Sequence, residues 1–261
     1  MTRVVLRIAY DGTDFHGFAE SAGVRTVAGE LRKIVERVTR SREIDIRGAS
    51  RTDTGVHALD QCVRIEVETA IAPEQLGRAI RGLAPPDVVV RQFYECAPEF
   101  QPSIDAIEKR YLYRIWNSHR PNVLARGRLW RVGRLLDLQA IDRAARALVG
   151  THDFAAFRNR SDGAPENTVR TIRAIEVRHE RPEVWIQVIG DGFLYRMVRN
   201  IVGTLVGVGR GSAPVESVGR ALSAKDRTLA GQTAPAHGLH LVEIRYPGEP
   251  PCEIDDSPLR F

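Results

Sequence analysis

Residues 50–61, SRTDTGVHALDQ, place a guanidinium, a carboxylate and an imidazole around one Thr-Gly turn that runs straight into an apolar strand. Asp53 is the group with the widest chemical reach, since an ionised carboxylate can attack carbon or accept a proton. Taken alone, the stretch reads as turn chemistry, because Asp beside Thr and Gly bonds nearby backbone amides. Ser50, Asp53 and His57 do not read as a hydrolase triad. There is no GxSxG elbow, and three residues of one short loop rarely converge on a reacting atom. The sequence has no GxxxxGK[ST] loop, no GxGxxG after a strand and no HExxH, so no metal site and no nucleotide cofactor is indicated. Cys62, Cys96 and Cys252 are widely separated and form no CxxC, which argues against a disulfide framework or a Cys-rich zinc site.

The elements that must hold these groups follow from periodicity. In RVVLRIAY, Val4, Leu6, Ile8 and Tyr10 fall on one face of a strand. TVAGELRKIVERV carries Val27, Leu31, Ile34, Val35 and Val38 at helical spacing, with Thr26 as N-cap. EIDIRG and DQCVRIEVE read as strands flanking the Asp53 stretch. PEQLGRAIRGL reads as a helix opened by Pro73, and PDVVVRQFYEC as a strand. The order β-α-β-β-α-β is that of a ferredoxin-like unit. The second half repeats it. KRYLYRIWN is a strand, and LDLQAIDRAARALVG a helix with Asp137 as N-cap and Gly150 past its end. TIRAIEVRHE and EVWIQVIGDG form a hairpin, FLYRMVRNIVGTLVGVG a long apolar helix, PVESVGRALSA a shorter one and LHLVEIRYP a closing strand. The expected fold class is α+β, with subdomains at residues 1–104 and 105–248 and a Pro-rich, acidic tail at 249–261.

The Asp53 stretch resembles the GRTDxGVHA signature of the tRNA pseudouridine synthase A family. YDGTDFHGF, KRYLYRIWN, GTHDFAAFRN, NTVRTIRAIEV, FLYRMVRNIVGTLVGVG and TAPAHGLHLVEIRYP resemble that family's other segments in order, from Tyr10 to Pro247. The resemblance implies two ferredoxin-like subdomains sharing a long, mostly antiparallel sheet with an RNA-binding cleft. It also implies a homodimer that binds tRNA without metal or organic cofactor. The implied reaction converts uridine to pseudouridine at tRNA positions 38 to 40, on a base flipped from its stack. By the same match Asp53 is the nucleophile, Arg199 the cation that keeps it ionised and Tyr111 the active-site tyrosine, read first as stacking on the base, with proton transfer left open. Arg51 is an RNA contact that fills the space of the flipped nucleotide, Arg196 a further RNA-binding candidate and His57 a group that fixes the loop. Attack at C1′, addition at C6 and departure through a glycal all remain open.

The chain departs from the family pattern at four places. Ser50 and Thr54 stand for Gly and Ala in the signature, Phe18-Ala19 follow Gly17 where the family has Trp-Gln, and Ser103 stands where it has Arg. These changes bear on RNA affinity and substrate range. Net charge is +5 over 261 residues, which permits an anionic partner without demanding one. No apolar run approaches the ~20 residues needed to span a bilayer, and the start MTRVVLRIAYDG has no signal-peptide pattern, so a cytoplasmic protein is expected. The competing reading is a non-catalytic RNA-binding protein or tRNA chaperone that retains the fold. The joint presence of Asp53, Tyr111 and Arg199 favours the enzyme, since binding alone does not require all three.

Overall fold

Local signals in the sequence set most element boundaries. The computed structural model describes residues 1–160 and 166–249; Cys252 and all of the expected tail after Glu249 lie outside them. Residues Met1–Ile107 form one unit, which the chain rejoins at Leu241, and Glu108–His240 form a second. The closing strand, expected wholly in the second half, therefore ends in the first unit.

In the first unit the order is β1 (Thr2–Tyr10), α1 (Val27–Thr39), β2 (Ile44–Gly48), β3 (His57–Val67), α2 (Pro73–Leu83) and β4 (Val88–Glu95). Thr26 caps α1, its hydroxyl accepting the Gly29 N–H at 3.2 Å. Pro73 opens α2, where its missing N–H has no helical partner to lose. β1 runs antiparallel between β3 and β4, with Val5 opposite Arg64 on one side and Tyr94 on the other. β2 pairs with β3, Ile46 facing Ile65. Helices α1 and α2 pack together, and α2 lies on β1 and β4.

β1 does not show the one-sided burial that alternation predicts. Val4, Leu6 and Ile8 are buried, but so are Val5 and Arg7 on the opposite face. Arg7 Nε donates to Asp60 Oδ1 at 2.9 Å, and Nη2 donates to the other Asp60 oxygen and to the Ile244 carbonyl. The returning segment after Leu241 thus closes a face that the local pattern leaves open to solvent. β4 is at the end of the strand order and does alternate, with Val88 and Val90 buried and Val89 exposed.

The second unit holds β5 (Glu108–Trp116), β6 (Trp130–Arg131), α3 (Leu138–Ala145), β7 (Gly150–Asp153), β8 (Val169–Glu180), β9 (Glu183–Gly190), α4 (Met197–Gly209) and α5 (Ser217–Ala224). β10 (Leu239–Arg245) begins in this unit and ends in the first. β9 lies antiparallel between β5 and β8, β7 pairs with β8, and the short β6 is parallel to β5. Asp137 caps α3 by accepting the Ala140 N–H at 2.9 Å. Helix α4 is buried along nearly all its length between α3 and the loops around it, as its apolar composition demands. β6, β7 and several single turns of 3₁₀ helix have too few residues for a periodic signal.

Candidate active site

The Asp53 loop joins β2 to β3 and is held by three buried side chains, Gln61, Tyr10 and His57. Gln61 acts as a short strand mimic: its Oε1 accepts the Ser50 N–H at 3.1 Å, and its Nε2 donates to the Ser50 carbonyl at 2.7 Å. Tyr10 hydrogen-bonds Thr52 Oγ1 at 2.7 Å. Burial pushes the Tyr10 phenol up to about 12, so it remains a neutral strut at physiological pH. Asp53 itself is half-buried. Its main-chain carbonyl accepts the Val56 N–H at 3.1 Å, which closes the turn. Gly55 sits at φ +78°, as the Thr-Gly pair leads one to expect.

A second loop, residues 11–18, braces the first. The Phe18 N–H donates to the Thr52 carbonyl at 3.1 Å, and the Gly55 N–H to the Phe15 carbonyl at 3.2 Å. Gly17 has φ +94°, and a Cβ there would lie 2.7 Å from the Thr52 carbonyl oxygen, so only glycine lets the two backbones meet. Phe18 is buried with its ring over Gly48, at a point where a Cβ would overlap it at 2.3 Å. The Phe for Trp departure is therefore a packed core residue. His57 is buried; its Nδ1 accepts the Gly12 N–H at 3.1 Å and lies 3.1 Å from an Asp11 carboxylate oxygen. It ties the two loops together. Arg51 and Thr54 are exposed, as is Ser103.

Tyr111, Arg196 and Arg199 belong to the second unit. Tyr111 lies on β5 opposite Val188 and is buried, with the Phe193 ring edge-on at 5.3 Å between centroids. Two residues along the same face, the Tyr113 hydroxyl donates to the Pro235 carbonyl at 2.7 Å, and burial raises its pKa well above the ordinary phenol value. Arg199 projects from the first turn of α4 and is half-buried; its Nε donates to the Ala234 carbonyl at 2.8 Å.

Arg196 is not inside the helix, as the apolar run suggested. It is the N-cap residue of α4, with left-handed φ 59°, and its guanidinium lies 4.9 Å from the centre of the Tyr195 ring. The run of apolar residues continues through the turn before the helix, so composition alone extends α4 four residues too far. The left-handed residue places the side chain at the helix entrance rather than along its buried face.

Sequence reasoning missed two features. Lys109 precedes Tyr111 by two positions and shares its strand face. Burial, with Arg170 nearby, pulls its ammonium down to about 8. The signal available was a lysine in phase with the tyrosine. The grip of Ala234 on Arg199 had no chemical signal of its own, although the stretch from Thr233 resembles the family's closing segment. Among the described residues no group of His, Cys, Asp and Glu could hold a metal ion, and no helix is long and apolar enough to cross a membrane.

Comparison with known proteins adds to this geometry. A family described as tRNA pseudouridine synthase matches residues 7–102 and 144–247. The chain is 39% identical over 246 residues to the tRNA pseudouridine synthase A of Acetivibrio thermocellus, covering 94% of this chain and all of that one. It is 36% identical to that of Geobacillus kaustophilus, covering 95% of each chain. To that of Maridesulfovibrio salexigens it is 39% identical, covering 97% of this chain and 93% of the other.

Proposed function

This chain belongs to the tRNA pseudouridine synthase family, and on that premise we propose that it isomerises uridine to pseudouridine in the anticodon arm of tRNA, with Asp53 as nucleophile. The observation that carries the assignment is the Asp53 loop. A half-buried carboxylate stands on a turn braced by Gln61, Tyr10, His57 and the backbone of residues 15–18, which is the rigidity a reacting group needs.

In the reaction the N1–C1′ bond of the target uridine breaks and a C5–C1′ bond forms. The C5 proton is released and N1 gains one, so no electrons are exchanged and no redox partner is required. Asp53 acts by adding to C1′ or C6 or by assisting departure of uracil. Each route needs the carboxylate ionised, and Arg199 supplies the opposite charge that favours that form. Tyr111 stacks on the extruded base; its burial and the edge-on Phe193 fix its ring plane. The exposed Arg51 enters the space the base vacates, offsetting part of the few kcal/mol of unstacking. His57 holds the loop, and Arg196 contacts RNA at the entrance to α4. A ferredoxin-like arrangement of each unit and a homodimer belong to the same proposal and are supported by the family resemblance; a cytoplasmic location is proposed with them.

The test is tritium release from a tRNA transcript labelled at uridine C5. Asp53→Ala is expected to fold, to bind tRNA and to release nothing. Undiminished release by the variant would remove Asp53 from the chemistry. Binding without release by the wild-type protein would favour the non-catalytic RNA-binding reading.

A further inference from the structure

Asn200 follows Arg199 on α4 and is fully buried, on the helix that is otherwise nearly all apolar. A buried amide needs partners for two donors and an acceptor oxygen, and Asn200 has them all. Its Nδ2 donates to the Phe157 carbonyl and to Asn159 Oδ1, each at 2.8 Å. Its Oδ1 accepts from Thr233 Oγ1 at 2.6 Å and from Arg227 Nη2 at 3.1 Å. The amide cannot be reversed, because a guanidinium only donates and a carbonyl only accepts.

Those bonds converge on one segment. Arg227 Nη1 donates to the Gly231 carbonyl at 2.9 Å, and its Nη2 also reaches Thr233 Oγ1 at 3.1 Å. The Gly231 N–H donates to Thr204 Oγ1 at 2.8 Å, one helical turn along α4. A Cβ on Gly203 would come within 1.7 Å of the Gln232 carbonyl oxygen, so this loop lies directly on the helix backbone. Ala234, which follows Thr233, is gripped twice by Arg199. Its N–H donates to the Arg199 carbonyl at 3.1 Å, and its own carbonyl accepts from Arg199 Nε at 2.8 Å. Because a guanidinium is planar, the bond at Nε sets the plane in which the rest of the group lies. The direction of the Arg199 head thus depends on where Ala234 sits, and Ala234 is located through Thr233 by Asn200 and Arg227.

We infer that Asn200, acting with Arg227 through the Thr233 hydroxyl, is a positioning residue for Arg199, its buried amide fixing the loop carbonyl that aims the guanidinium. This deepens the proposed function and rests on its assignment of Arg199 to the reacting carboxylate. Displacing a catalytic group by about 1 Å lowers rate by about 10²-fold.

The test compares Thr233→Val, which keeps the shape and deletes the hydroxyl, with Thr233→Ser, which restores it. Single-turnover pseudouridine formation on a tRNA transcript is measured beside tRNA binding and the unfolding midpoint. Thr233→Val is expected to slow conversion by about 10²-fold with binding and midpoint near wild type, and Thr233→Ser to recover the rate. Asn200→Ala is expected to slow it as well; should that variant fail to fold, the Thr233 pair still decides. Thr233→Val combined with Arg199→Gln should be no slower than Arg199→Gln alone. Wild-type rate in Thr233→Val while Arg199→Gln is inactive would overturn the positioning role and leave the site assignment standing. Wild-type rate in Arg199→Gln would overturn the site assignment and this inference with it. A Thr233→Val defect that tracks lost binding or lost stability, or that Thr233→Ser does not repair, would mark the network as structural only.

Discussion

Gln61→Leu separates the support of the Asp53 loop from the chemistry proposed for Asp53. Gln61 is fully buried and makes two hydrogen bonds to the backbone of Ser50, at 3.1 and 2.7 Å, with a longer contact of 3.5 Å to the Tyr10 hydroxyl. Leucine nearly matches its volume, so the change is one of polarity rather than packing. Losing the partner of a buried backbone group costs about 1–3 kcal/mol each. Ser50 is only half-buried, and the loop can recover part of this from water, so a loss of about 2–3 kcal/mol is expected for the two bonds together. For a chain of this size that lowers Tm by about 4–12 °C. The recovery requires Ser50 to move toward solvent, and Asp53 moves with it. Conversion of tRNA uridine should then fall by about 10²-fold, whereas tRNA binding should hold. Thermal unfolding by circular dichroism and single-turnover tritium release measure the two effects. A variant with wild-type Tm and wild-type rate would refute the role given to this bridge, and a lower Tm with wild-type rate would show that the loop keeps its geometry without it.

Three further outcomes are expected. Asp60→Ala strips the carboxylate from buried Arg7, so it should lower stability by about 3–5 kcal/mol in urea unfolding; a wild-type midpoint would show that the Ile244 carbonyl and Glu249, whose carboxylate lies 3.4 Å from Arg7 Nη1, suffice. Lys109 has its folded pKa lowered from 10.5 to about 8, by burial and Arg170, against a small opposing effect of Asp191. Between those values the unfolded chain binds the proton and the folded one does not, so this residue makes stability rise with pH through that window and contributes no slope below it. Urea midpoints should therefore rise more steeply from about pH 8 to 10 in the wild-type protein than in Lys109→Met; identical slopes would contradict the shift. Finally, tRNA affinity should fall as salt rises, log Kd against log salt giving about one unit of slope per phosphate contacted; a flat line would exclude a basic RNA-binding surface.

The sequence by itself determined most of the elements and singled out the Asp53 loop as the candidate for the chemistry. Thr26 and Asp137 could be read as caps because a cap bonds an amide three residues away, and strand and helix periods repeat within ten residues. The Arg-Thr-Asp turn, Gly55 and the motif order were legible for the same reason: each is local or linear. Tertiary structure decided everything that joins distant segments. Arg7 meets Asp60 across 53 residues, Arg199 meets Ala234 across 35, and Tyr113 meets Pro235 across 122. No periodicity encodes such pairs, because which buried polar group satisfies which depends on how the strands and loops close over one another. That is why β1 is buried on both faces and why the amide of Asn200 came to light only with its four partners around it.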